Sequence, residues 1–228
     1  MQSHTGRDER IRVSGVTAFD EIDAEQLDVS GVLTVERGVR VDIASFSGAV
    51  TAHGDLRCES VEVSGATEIS GDATANHIAV SGSLSVDGVT RADEFECSGS
   101  VHLEDVKANQ FEATGAVTLT TLDADAIRIQ GAIEAEQVEA NEIGFDLVSD
   151  SVISHLVGES VVVTRHRPNG FLRAEFIEGD DVALDYVDVG TVVGDQVSLG
   201  SNASVEVVRA EEIDVADGAT VGSMERIE

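Results

Sequence analysis

Residues Gly48–Ser98 are three copies of one 17-residue pattern, Gly48–Ser64, Gly65–Ser81 and Gly82–Ser98, each opening on the Gly of a Ser-Gly pair. Self-similarity at so short a period is the mark of a solenoid. In the copy that starts at Gly82, apolar Leu84, Val86, Val89, Ala92, Phe95 and Cys97 alternate with Ser83, Ser85, Asp87, Arg91, Glu94 and Glu96. The copy at Gly65 repeats the layout with Thr67, Ile69, Ala73, Ala75, Ile78 and Val80. Two stretches of period two, offset by a one-residue slip, describe half-buried strands joined by a bend. The i, i+3, i+4, i+7 spacing of an amphipathic helix is absent from residues 67–75. Three short strands per turn would return the chain to its starting azimuth one strand spacing higher, roughly 4.8 Å. The expected fold is therefore all-β: a triangular parallel β-helix, right-handed by the usual hand of parallel crossovers. A single turn orders too many residues for the apolar surface it buries, so stability must come from stacking on neighbours.

The turns start at Gly15, Gly31, Gly48, Gly65, Gly82, Gly99, Gly115 and Gly131, with 16 or 17 residues per turn. At these corners Gly is expected for its access to positive φ, and Ser for bonds to its own turn. Equivalent positions stack into columns. One reads Phe19, Val35, Ala52, Ile69, Val86, Leu103, Leu119, Ala135, and another Val29, Phe46, Val63, Val80, Cys97, Ala113, Ile129, Phe145. Mixing large and small residues along a column fills a core without voids. After Phe145 the Gly corners vanish. The segmentation read from the chain is a disordered polar tail at 1–10, regular β-helix at 11–146 and irregular turns at 147–184 with a protruding loop at 165–170. The β-helix then continues over 185–222 and ends in a tail at 223–228, about 12–13 turns in all.

Forty-four acidic residues against 14 basic ones leave a formal charge of −30, and the only lysine is Lys107. Such a surface argues against nucleic acid, whose phosphates reward basic proteins. An acidic coat nearly free of lysine looks like a protein from a salt-accumulating archaeon. At molar salt the Debye length is about 3 Å, so self-repulsion is screened. Cys58 and Cys97 fall in inward slots of turns that are not adjacent, as core thiols of a reducing compartment would. No segment approaches 18 apolar residues, and Met1–Arg12 lacks the apolar region of a signal peptide. Cytoplasmic localisation is expected, with envelope association only through partners.

No chemistry-bearing motif stands out. His53, His77 and His102 sit at three different offsets from the corner Gly and cannot form one metal-binding column, and His155 and His166 are no better placed. The chain lacks the 18-residue, apolar-Gly hexad phasing of left-handed transferase β-helices and the Gly-Gly-x-Gly-x-Asp turns that bind calcium. No glycine-rich phosphate loop surrounds Lys107, and no base neighbours the recurrent serines. Neither an enzyme nor a cofactor or metal is expected. One surface feature breaks type: Arg165-His166-Arg167-Pro168-Asn169-Gly170, with the only Pro, followed by Arg173. Arg165, His166, Arg167 and Arg173 are the candidate contacts if this loop recruits a partner.

A β-helix also has two open ends, where unpaired strand edges can template further pairing unless capped. Neither Met1–Arg10 nor Ser223–Glu228 has the periodicity of a capping helix. Ile11, Val13 and Phe19 at one end, and Val215, Ala219, Val221 and Met224 at the other, are the candidate polymer interface. A Gly-cornered, Val-rich β-helix between short polar tails resembles the bactofilins, bacterial polymer-forming cytoskeletal proteins with haloarchaeal relatives called halofilins. The resemblance rests on Ile11–Phe145 and, more loosely, Asp185–Gly222. It implies nucleotide-independent filaments made through terminal contacts, serving cell shape or positioning. The implied partner is the chain itself, with other cytoskeletal or membrane proteins beyond it, but neither nucleic acid nor direct membrane insertion. The alternative is a β-helical adaptor that does not polymerise and binds through the 165–170 loop.

Overall fold

The computed structural model describes residues 8–227 and divides the chain into two compact units, Met1–Gln110 and Phe111–Glu228. The first contains β1 (Asp8–Val13), β2 (Val16–Val29), β3 (Val32–Arg40), β4 (Ile43–Phe46), β5 (Ala49–Ala52), β6 (Asp55–Arg57), β7 (Ser60–Val63), β8 (Ala66–Ile69), β9 (Ala73–Val80) and β10 (Ser83–Cys97). β11 (Ser100–Ala113) crosses the division. The second holds β12 (Ala116–Ile129), β13 (Ala132–Leu147), β14 (Asp150–Arg165), β15 (Phe171–Leu184), β16 (Val187–Leu199), β17 (Ser204–Val215) and β18 (Thr220–Arg226). Every strand pairs in parallel with the equivalent stretch one turn away, and no described residue is helical. The fold is a β-solenoid of about 14 turns among the described residues.

Period-two alternation explains the core. In β12 the residues Val117, Leu119, Leu122, Ala124, Ile127 and Ile129 are all buried, and the charged residues between them face water. The column from Phe19 is carried in register to Val35, Ala52 and Ile69, and Val29 leads through Phe46 to Val63 and Val80. Phe46, Phe95, Phe111 and Phe145 are the largest fully buried side chains. One inward slot differs from expectation. Thr90, not Val89, is buried and pairs with Ala73, because Val89 occupies the corner and donates its N–H to Asp72 Oδ1 at 2.9 Å.

The glycine corners are real, but their cause is not positive φ. Among the described glycines only Gly218 has it, at 96°. The constraint is the adjacent turn. A Cβ on Gly48 or Gly65 would lie 1.9 Å from the carbonyl oxygen of the corner glycine one turn earlier, and one on Gly99 would lie 2.0 Å away. Glycine is required for close backbone approach. Serine likewise reaches across turns: Ser47 Oγ donates to Val29 O at 3.2 Å. A second corner, at Gly54-Asp55 and Gly71-Asp72, uses aspartate as well; Asp55 Oδ1 accepts the Asp72 N–H at 3.1 Å.

Residues 147–184, expected to be irregular, keep the solenoid register. Ala135 is followed by Ile153, Ala174, Val189, Val205 and Val221, and Phe145 by Val163, Leu184, Leu199 and Val215. The corners there are built differently. Val148 N–H donates to Gly131 O at 3.0 Å without a Ser-Gly pair, and the buried Ser151 hydroxyl accepts the Ile133 N–H at 3.1 Å. Tyr186 and Asn202 take the left-handed conformation at φ 57° and 53°, and Asp185 Oδ1 caps the Ser201 N–H at 2.7 Å. Apart from the two-residue corner at 148–149, only residues 166–170 leave the strands in this stretch, between β14 and β15. The two expected tails are also partly strand. Residues 8–10 belong to β1 and residues 223–226 to β18, while residues 1–7 and 228 lie outside the described residues. Ion pairs tie both ends to the next turn, Arg10 to Asp28 at 2.7 Å at one end and Arg209 to Glu225 at 2.8 Å at the other.

Candidate assembly surfaces

The first turn of the first unit is half covered. β1 pairs with β2 from Ala24 to Val29 only, so the leg Val16–Phe19 has no outer neighbour among the described residues. Phe19 occupies the inward slot of Val35, which is fully buried, yet Phe19 itself is only half-buried. Val16, on the outer side of the same leg, is 86% exposed. Ile11 is half-buried and Val13 buried, each lying on the next turn inward through Leu27 and Val29. The Asp28 carboxyl is pushed up by burial, but hydrogen bonds from Arg10, Gln26 and Arg12 more than offset this and hold it below its ordinary value.

The last turn of the second unit is incomplete in a matching way. β18 pairs with β17 from Ser204 to Ala210, and among the described residues Glu212–Val215 has no outer neighbour. Ile213 and Val215 are therefore half-buried, although Val197 and Leu199, in the same slots one turn earlier, are buried. Ala219 and Val221 are half-buried, Met224 is 53% exposed and Ile227 is 40% exposed. The seven candidate interface residues thus fall into two clusters, one on each terminal turn. Sequence reasoning missed Val16, Ile213 and Ile227 as members. Val16 was within reach, since alternation with Thr17 and Phe19 already places it outward.

The basic loop is occupied by the chain's own groups. The Arg165 guanidinium stacks on Tyr186, 3.4 Å from the ring centroid, and donates to Pro168 O at 3.1 Å. His166 Nδ1 lies 2.9 Å from Asp146 Oδ2 and 3.3 Å from Gln130 Nε2. Arg173 lies over Phe171 and pairs with Asp150 at 3.6 Å. Arg167 is exposed. Arg165 and His166 tie the loop to its surroundings and Arg173 pairs with Asp150 on the neighbouring strand, while all three stay exposed.

Other chemistry finds little support. Among the described residues no three His, Cys, Asp or Glu side chains are grouped to hold a metal ion, and His77 pairs with Glu94 at 3.2 Å. Cys97 is buried and Cys58 half-buried, both thiols free, and burial pushes the Cys58 thiol up to about 12. On the outer face of the second unit a hollow of about 490 Å³ lies over Gly144, whose register neighbours are Arg128 and Val162. Arg128 bridges Glu112 at 3.5 Å and Glu142 at 3.7 Å along its rim. No described helix is long and apolar enough to cross a membrane. No family model, curated protein or solved structure matches the chain.

Proposed function

We propose that this chain is a self-assembling, nucleotide-independent scaffold of the bactofilin kind. Copies join through their terminal solenoid turns, and the polymer contributes to cell shape or positioning. The observation that carries this is the pair of incomplete turns, with Phe19 half-buried at one and Ile213, Val215 and Met224 uncovered to different degrees at the other. Each terminal leg combines apolar inward side chains with a strand edge that has no partner among the described residues, the combination that templates further pairing. Burying an exposed apolar side chain of this size contributes about 1.5–3 kcal/mol, and several are available at each end.

The test is negative-stain electron microscopy of the purified chain in molar salt, beside a variant carrying Phe19→Arg and Val221→Arg. Filaments from the parent and single short particles from the variant are expected. Single particles from both would overturn the proposal and turn attention to an adaptor role for residues 165–170.

A further inference from the structure

In each turn of the second unit the leg before the corner points one central side chain outward, and these side chains stack. In register the column reads Arg128, Gly144, Val162, Ala183, Ser198 and Asp214. Charge stands at both ends and only uncharged residues between, all small except Val162, which is 41% exposed. Gly144 is a gap in the column, since a Cβ there would meet nothing closer than Ile127 O at 3.9 Å. The hollow of about 490 Å³ over Gly144 runs on into a second of about 570 Å³, which shares Ser160 and Val162 with it and lies over Ala183 and Ser198. Together they form a trough across the strands, about 14 Å from Gly144 to Ser198 at a strand spacing of about 4.8 Å. Its sides are acidic. Glu142 and Asp181 stand in the neighbouring outward column, with Ser160 between them in register. Asp146 stands on the corner side, 2.9 Å from His166. Glu212 and Asp214 line the far end together with Arg226.

We infer that this trough seats an extended, polyproline-like segment of a partner protein, with an apolar side chain in the hollow over Gly144 and a basic side chain beside Asp181. The backbone of these legs is already paired with the turns on both sides, so an added β-strand finds no donors or acceptors and recognition falls to side chains. A polyproline II backbone needs no ladder partner, and its side chains i and i+3 face the same way about 9.3 Å apart. Two strand steps, the separation between Gly144 and the level of Asp181 and Ala183, come to about 9.6 Å. An aliphatic or aromatic side chain over Gly144 rests on Val162 and covers apolar surface that is otherwise wet. Charge selects the second anchor. Arg128 is taken up by Glu112 at 3.5 Å and Glu142 at 3.7 Å, which leaves Asp146 and Asp181 to set the sign of the sides. A basic head is complementary there and an acidic one is repelled. A second copy is a poor occupant by the same rule, because a chain of net charge −30 brings mostly carboxylates. The inference stands on this face alone and holds whether or not copies polymerise.

Gly144→Gln fills the hollow from a position that has room for a side chain, and Asp181→Lys reverses the charge beside it; thermal melting checks that each variant folds like the parent. A display library of random dodecapeptides is selected on the full-length chain in molar salt, where the general attraction of basic peptides to an acidic surface is screened within about 3 Å. The most enriched peptide is then made with a fluorescein label, and its affinity for the parent and both variants is read by fluorescence polarisation. Enrichment of an apolar and a basic residue three positions apart is expected. Affinity should fall about tenfold or more with Gly144→Gln, as for one buried apolar side chain, and about threefold with Asp181→Lys, as for one surface ion pair. No enrichment, enrichment of acidic peptides, or a peptide that binds both variants as tightly as the parent would overturn the proposal. Lateral pairing of the parent that Gly144→Gln abolishes, with no peptide selected, would overturn it in favour of a second copy.

Discussion

Replacing Gly65 by Ala separates two explanations of the corner glycines. If left-handed backbone were the reason, the cost would follow φ; if close approach is the reason, it follows the neighbouring turn. A Cβ at position 65 would stand 1.9 Å from Gly48 O, and the obstacle is backbone, which cannot rotate away. To reach an ordinary contact the two corners must part by more than 1 Å, as estimated from the usual contact distance of about 3.4 Å. That movement breaks or stretches Gly65 N–H to Phe46 O at 2.9 Å and Ala66 N–H to Gly48 O at 3.1 Å. Two backbone hydrogen bonds at about 0.5–1.5 kcal/mol each, with the loss of packing beneath them, give a cost of roughly 2–4 kcal/mol. For a chain of this length that is a fall in Tm of roughly 5–15 °C. Gly144→Ala is the internal control. Its Cβ would meet nothing closer than Ile127 O at 3.9 Å, so the change is neutral or stabilises by up to about 1 kcal/mol. Thermal and urea unfolding followed by far-ultraviolet circular dichroism would compare the two with the parent. Equal effects of Gly65→Ala and Gly144→Ala would refute the close-approach account.

Two buried hydroxyls, Thr67 Oγ1 and Thr90 Oγ1, have no hydrogen-bond partner, so Thr67→Val and Thr90→Val should each stabilise by about 1 kcal/mol, read as a higher urea midpoint at unchanged slope. Native Cys58 should resist iodoacetamide at pH 8 and react once the chain is unfolded in urea, because burial holds its thiol protonated. The same raised value works against the fold in alkali: its contribution is fully present below the unfolded thiol's pKa near 8.5 and is lost as pH rises toward about 12, so Cys58→Ser should flatten the alkaline limb of a stability-pH curve.

Most of the fold was legible because alternation and corner glycines both leave marks in sequence. The columns through Val35, Phe46 and Ile129 could be written down before any coordinates. The register beyond Phe145 could not, since its corners rest on features without a repeating signature. They rest on the Ser151 hydroxyl in place of a backbone group, left-handed Tyr186 and Asn202, and the Asp185 cap. Val89 was misassigned for a related reason. A one-residue shift at a corner exchanges inside for outside, and the aspartate that sets the shift, Asp72, looks like any surface acid. The terminal turns were found from their apolar residues.

The 166–170 connection bears on how such a chain can change in length. Residues are added there at a corner, yet Ile153 still lies beside Ala174 and Val163 beside Leu184. Extra residues at a bend are shed outward, whereas an extra residue inside a leg would turn every side chain beyond it over. Growth or shrinkage of the solenoid by duplication or deletion is thus quantised: whole turns can be gained or lost, and fractions of a turn cannot. Excision of residues 65–81 would join Ser64 to Gly82, two positions with equivalent neighbours, and confine the changed contacts to the one seam where residues 82–98 would meet residues 48–64. Length is a digit this architecture can edit freely, provided that it counts in turns.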